Sequence, residues 1–265
     1  MSSVLVTDNP DFSIATVRCA GHGHGWSAPE PTVRHQIVLV RSGRFRLRSD
    51  GRDAHADPTA GYLQLPGEEA TFAHPAGGDV CTSVSLSPGL WRSVAGDDRR
   101  PVSPSIYVDG RLQLAHRRLL RARPDDVSFG LAEQLVGLLA GILRQVAGSS
   151  PDRDSRRTER ALADGAREAL ASDHPDAAGL VPLARLLDVS PSHLSRVFRR
   201  ETGTSLTRYR NRFRVTRALD RIEQGAGNLA DVAAGLGFAD QAHLCRAVRA
   251  ELGHTPTELR RLLRR

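Results

Sequence analysis

The chain of 265 residues contains no lysine, and all 37 of its basic residues are arginine. Alanine and glycine are abundant as well, so the bias looks like coding in a GC-rich genome. Residue type alone therefore does not make any one arginine a contact. Cysteine is scarce: Cys19, Cys81 and Cys245 are the three present. They exclude a disulfide framework and fit a reducing cytosol. No run of about 18 apolar residues occurs, which excludes a membrane-spanning helix. The first residues lack a basic start followed by an apolar run, so no signal peptide is visible and a cytoplasmic location is expected. No phosphate-cradling glycine loop and no Ser-His-Asp arrangement in a recognisable local context occurs. The reading is therefore not that of an enzyme, and it calls for no cofactor.

Negative charge is the minority sign. Thirty Asp and Glu leave a net charge of +7 and a pI near 10.4, which suggests a polyanionic partner. Residues 151–265 hold 21 Arg against 15 acids, a net of +6, whereas residues 1–150 hold 16 against 15, a net of +1. A solvated face and a phosphate footprint both explain such an excess. The same half also contains a repeat. Leu183–Gly203 reads LARLLDVSPSHLSRVFRRETG and Val232–Gly253 reads VAAGLGFADQAHLCRAVRAELG. His193-Leu194, Arg196, Glu201 and Gly203 recur 50 positions later, whereas Ala184 recurs 49 later as Ala233. One residue is therefore inserted at the turn. Two matched helix-turn-helix units with arginine on their second helices suit two stretches of major groove in double-stranded DNA.

Helical spacing separates a buried stripe from an outward face in each copy. Leu194, Val197 and Phe198 form the stripe in the first, and Leu244, Ala247 and Val248 in the second. Ser192, Ser195, Arg196 and Arg199 then face outward, as do Gln241, Ala242, Cys245, Arg246 and Arg249. Residues near the start of such a helix reach base edges and later ones meet phosphate. Arg pairs with guanine and Gln with adenine through two bonds each. Ser190, Asp240 and Thr255 stand as N-caps, with Gly203 and Gly253 as stops.

The first half reads differently. Residues 13–90 read as short strands, among them Arg34–Val40, Arg44–Ser49, Gly61–Leu65 and Val80–Leu86, and Asp50-Gly51 signals a tight hairpin. Many short strands punctuated by Gly and Pro suggest a sandwich or barrel. From Leu112 the period becomes helical, giving two amphipathic helices separated at Arg123-Pro124-Asp125-Asp126. The second, roughly Ser128–Val146, has a wide apolar stripe, and two readings stand open: packing on the barrel or a homodimer interface. Gly148–Arg157 has linker composition. The expected organisation is α+β multidomain: residues 1–147 an effector-binding or dimerisation domain, 148–157 a linker and 158–265 an all-α DNA-binding domain.

The strings from Ser190 to Gly203, Ala233 with Leu236–Gln241, and Leu252–Pro256 resemble the AraC/XylS family of transcription regulators. The likeness covers about Ala161–Arg261. It implies a double helix-turn-helix whose units are joined by one long helix, here about Ser205–Gln224. By position the base readers would be Ser192, Ser195 and Arg196, then Gln241, Ala242, Cys245 and Arg246. Val248 departs from the family pattern, standing where an aromatic is usual. Ala242 and Cys245 replace hydroxyl or amide positions, which shifts readout in the second unit toward Gln241 and Arg246. Cys245 is read as a small apolar filler, a redox role having no thiolate-stabilising partner in sight.

The strand-rich half resembles the cupin-like sensor barrel that many members of this family carry. The resemblance implies a ligand-responsive regulator, most commonly an activator, whose partners are DNA, RNA polymerase and a small-molecule effector. The cavity candidates are Trp26, His35, Tyr62, His74 and Cys81. His22, His24 and His74, with Glu30, His35, Cys19 and Cys81, also offer a metal set, although regulatory cupins commonly lack a metal. The competing readings are a metal-dependent cupin enzyme fused to a DNA-binding domain, and a constitutive DNA binder whose barrel only dimerises.

Overall fold

The computed structural model describes residues 2–21, 25–49, 52–95, 105–121, 130–146 and 155–263. His22, His24, the Asp50-Gly51 turn, the Arg123–Asp126 break and most of the linker stretch lie outside them. The chain divides into two compact units, residues 1–149 and 150–264. A helix begins at Ser155, inside the stretch that composition assigns to a linker.

The first unit is built on two antiparallel sheets. One has the order β1(Ser2–Asp8), β2(Phe12–Cys19), β9(Asp79–Leu86), β4(His35–Ser42), β7(Ala60–Gln64), β10(Ser105–Tyr107), and the other β3(Glu30–Pro31), β8(Glu69–Ala73), β5(Phe45–Ser49), β6(Arg52–Ala56). The two-residue period of β4 explains its unbroken apolar run. Ile37 and Leu39 point one way, into a cluster with the unit's helices, whereas Val38 and Val40 point the other way, toward Phe45, Leu47 and Ala56 of the second sheet. The two antiparallel sheets agree with the sandwich or barrel expected from the short, punctuated strands. Two strands run through residues the sequence left unmarked: β1, an exposed edge pairing with β2, and β10, which pairs with β7.

Among the described residues, α1(Pro88–Ala95) lies between β9 and β10 in the chain, and α2(Gly110–Leu119) and α3(Gly130–Val146) follow β10. Asp109 caps α2, its carboxylate accepting from the Leu112 amide at 2.7 Å. The apolar stripe of α3 resolves toward packing on the sheet: Leu135, Leu138, Leu139 and Ile142 join Ile14, Ile37, Val84 and Ile106 in one buried cluster. On the same face His116 meets the Thr82 hydroxyl at 2.8 Å. Burial, then the nearby Arg117 and Arg41, lower its pKa to about 3.

The second unit is helical: α4(Ser155–Ala171), a single 3-10 turn at Pro175–Ala178, α5(Leu180–Leu186), α6(Pro191–Thr202), α7(Leu206–Glu223), α8(Leu229–Gly235), α9(Gln241–Leu252) and α10(Pro256–Leu262). Ser205 caps α7 at its start and Gln224 ends it, matching the connecting helix expected from the sequence. At 1.5 Å per residue, its 18 residues make a rod of about 27 Å.

Candidate functional site

The second helix of each repeat is fixed at both ends by the residues the sequence singled out. The Ser190 hydroxyl accepts from the His193 amide at 3.2 Å to start α6, and the Asp240 carboxylate accepts from the His243 amide at 2.6 Å to start α9. Gly203 (φ 71°) and Gly253 (φ 74°) end them in the left-handed conformation, their amides bonding to Arg199 O and Arg249 O at 2.9 Å. Thr255 and Glu258 form a reciprocal capping box for α10.

Leu194, Val197 and Phe198 are buried under α6, and Leu244 and Val248 under α9. Ala247 differs from expectation in being only half-buried, whereas its counterpart Val197 in the first copy is buried. Phe198 meets the ring of Tyr209 edge-on at 5.2 Å. In the second copy Phe238 supplies the missing aromatic from the turn: its ring lies 5.4 Å from that of His243, with the Arg214 guanidinium over it at 5.9 Å.

Ser192, Ser195, Arg196, Arg199, Gln241, Ala242, Arg246 and Arg249 are all exposed, and Cys245 is half-buried beside them. Ion pairing sorts the arginines in a way that composition could not. Arg200 is tied to Glu159, Arg208 to Glu251 at 3.5 Å, and Arg217 to Asp173. Among the described residues, Arg196, Arg199 and Arg246 enter no ion pair. Their guanidinium groups are left for a partner, and an exposed arginine suits phosphate or a guanine edge.

The first unit holds a cavity of about 410 Å³ between its sheets. Four of the five residues expected there line it: Trp26, Tyr62, His74 and Cys81. His35 is not among its lining residues. Its ring stacks on Trp91 of α1 at 4.4 Å between centroids, with the planes 12° apart, and burial lowers its pKa. Period two accounts for this, since His35 shares the face of Ile37 and Leu39 rather than that of Val38. Phe45 and Phe72 add apolar wall, and Glu30 and Asp79 add carboxylates.

Asp79 is the residue that sequence reasoning missed, for no motif marks it. Its side chain is 2% exposed and lies 2.9 Å from His74 Nε2. The Cys81 thiol donates to its Oδ1 at 2.9 Å. Burial and then Asp79 push the Cys81 thiol pKa up, and the same two causes raise Cys19 to about 11. Both thiols are therefore protonated near neutral pH. Burial also raises the Tyr62 phenol. Of the expected metal set, His74 and Cys19 come together with Asp79, whereas His22 and His24 are not described.

Paired helix-turn-helix units whose second helices each present exposed arginines have the geometry of a DNA-binding domain. Residues 183–262 match a family model described as "Helix-turn-helix domain". The chain is 34% identical over 79 residues to the HTH-type transcriptional regulator GlxA of Rhizobium meliloti, a match covering 30% of this chain and 24% of that protein. Thus the chain spans about a quarter of that relative's length. It is 26% identical over 252 residues to the uncharacterized HTH-type transcriptional regulator YijO of Escherichia coli, covering 89% and 86% of the two chains. The crystal structure of unsaturated fatty acid bound wild-type ToxT from Vibrio cholerae aligns over 97% of both chains with 10% identity and a TM-score of 0.40. Residues 183–262 thus carry a helix-turn-helix domain, and the proteins to which the chain is similar include HTH-type transcriptional regulators.

Proposed function

We propose that this protein is a sequence-specific DNA-binding transcription regulator whose activity is set by a small ligand. The observation that carries the reading is the matched pair α6 and α9. Both helices are capped and stopped alike, both are anchored on buried seams, and both present exposed arginines. Held by α7, they enter successive major grooves about one helical turn, some 34 Å, apart on one face of the duplex. Ser192, Ser195 and Arg196 read bases in the first groove; Gln241, Ala242, Cys245 and Arg246 read them in the second. Arg199 and Arg249 meet phosphate.

The cavity supports the ligand-responsive part of the reading. A barrel serving only for dimerisation needs no such space, and a wall mixing aromatic rings with a few polar groups suits a small molecule. Residues 1–147 act as the effector domain and residues 158–265 as the DNA-binding domain. Ligand binding shifts the population of arrangements able to place both readers, or two copies of the chain, on DNA. The regulator acts in the cytoplasm, as an activator that contacts RNA polymerase, and catalyses no reaction.

The test is a selection of genomic fragments by purified full-length protein, read by sequencing. Two short enriched blocks about one helical turn apart are expected. Fragments enriched without such a pair would overturn the two-reader mechanism.

A further inference from the structure

One end of the cavity brings together three metal-ligating side chains that the DNA-reading account does not use. Cys19 closes β2 and Asp79 opens β9, and the two are direct partners in the β2–β9 ladder. His74 follows the last residue of β8. The Cys19 Sγ, a His74 ring nitrogen and an Asp79 carboxylate oxygen all lie within 4.8 Å of one another. All three residues line the cavity.

The carboxylate is fixed but not satisfied. Oδ1 of Asp79 accepts from the Cys81 thiol at 2.9 Å. Oδ2 stands 2.9 Å from His74 Nε2 yet receives no properly directed hydrogen bond. A buried anionic oxygen in that state is costly unless a cation balances it. The backbone around the group is tightly set. A Cβ on Gly43 would lie 2.4 Å from Gly78 O, and one on Gly78 would lie 2.4 Å from Cys19 O. Glycine at both places lets the β2 end, the β4–β5 link and the β8–β9 loop close on one another. The three donors are thus set by strands and crowded backbone rather than by a free loop.

We propose that Cys19, His74 and Asp79 bind a borderline-soft divalent cation of the zinc class, with the fourth position open to the cavity. Bonds of about 2.0–2.3 Å put tetrahedral donors roughly 3.3–3.8 Å apart. Drawing the group in from 4.8 Å therefore takes side-chain rotation by about an ångström. A thiolate beside an imidazole selects zinc over magnesium or calcium, and the carboxylate disfavours Cu(I). Binding displaces the Cys19 thiol proton to solvent. Cys81 holds the carboxylate in orientation, as outer partners of metal ligands do. The site does not need the DNA-reading account in order to exist; only its role as the sensed ligand rests on the ligand-responsive reading.

The experiment titrates Co²⁺ and then Zn²⁺ into reduced, chelator-treated full-length protein. One equivalent of Co²⁺ is expected to raise a near-ultraviolet sulfur-to-cobalt charge-transfer band, which one equivalent of Zn²⁺ removes. Cys19→Ser should abolish the band, and Asp79→Asn and His74→Gln should each weaken binding at least about tenfold, all with an unchanged far-ultraviolet circular dichroism spectrum. Should Cys19→Ser fail to fold, His74→Gln carries the same test. Absence of the band in the parent protein, or its survival in Cys19→Ser, overturns the site. Operator affinity measured with and without Zn²⁺ forms a separate arm. A change in the parent that is absent in Cys19→Ser supports the metal as effector. Binding at the site with no change at DNA keeps the site and overturns that role alone.

Discussion

Val189 and Phe238 are the same residue met twice. The backbone N–H of Val189 donates to Ala184 O at 3.0 Å and that of Phe238 to Ala233 O at 3.0 Å, so both turns close alike at a separation of 49 positions. The caps that follow, Ser190 and Asp240, are 50 apart. Ala239 is therefore the extra residue that the repeat requires, and it sits after the shared turn rather than within it.

Just before these residues, Asp188 (φ 53°) and Gly237 (φ 70°) take the left-handed conformation at equivalent places. Such a backbone costs an ordinary side chain roughly 1–2 kcal/mol. We expect Gly237→Ala to lower unfolding stability by about that amount, with the new Cβ also meeting Arg214 Nη2 at 3.0 Å. Asp188→Gly should stay within about 0.5 kcal/mol of the parent, since relieved strain offsets a looser unfolded chain. Urea unfolding of the full chain measures both. Equal stability of Gly237→Ala and the parent would count against the turn geometry.

Reader and phosphate roles separate by salt dependence. Arg196→Ala and Arg246→Ala should each cost about 1–3 kcal/mol on the best site and relax preference at one base position. Arg199→Ala and Arg249→Ala should weaken all sequences alike and reduce the slope of log K against log salt by about one each. Binding to randomised sites at several salt concentrations distinguishes the pairs. An unchanged base preference in Arg196→Ala would remove it from the readers.

The two seams differ in depth. Phe198 is fully buried against Tyr209, so Phe198→Ala should cost about 3–5 kcal/mol. Val248→Ala deletes two methyl groups, and about 0.8 kcal/mol for each carbon removed suggests a loss nearer 2 kcal/mol. Denaturant midpoints of the two variants test the order, and a larger loss at Val248 would reverse it.

His116 makes the first unit sensitive to acid. Its folded pKa is lowered to about 3 by burial, whereas an unfolded histidine takes up a proton near pH 6.5. The unfolded state thus binds more protons below pH 6.5, and the stability present above that value is lost as pH falls toward 3. At pH 5.5 the loss from this one group is about 1.4 kcal/mol. His116→Gln keeps a polar group facing Thr82 without titrating, so its melting temperature should fall less steeply between pH 7 and pH 4. Parallel curves for variant and parent would exclude His116 as the cause.

The helical half was legible because its signals are local. An N-cap, a left-handed stop and a period-3.6 stripe each depend on residues a few positions apart, so Ser190, Gly203 and Phe198 could be assigned from neighbours alone. The barrel was legible only where period two was clear, as in β5. Asp79 owes its place to Cys19, 60 positions earlier in the chain, through the β2–β9 register, and no short window contains that relationship. Similarly, His35 looked like a cavity residue by type, but strand parity turned it toward Trp91. The pairing state of each arginine also depended on tertiary partners such as Glu159 and Glu251.

The single helix between the two readers has one more consequence. Each residue of an α-helix carries the chain about 100° around its axis. Lengthening α7 by one residue would therefore swing α9 by more than a quarter turn relative to α6 as well as shifting it along the rod. In the proposed two-groove arrangement, no change of one or two residues keeps both helices on one face of the duplex. The gap between the two halves of the proposed binding site then follows from the pitch of one helix, so related sites would be free to diverge in their bases but not in their spacing.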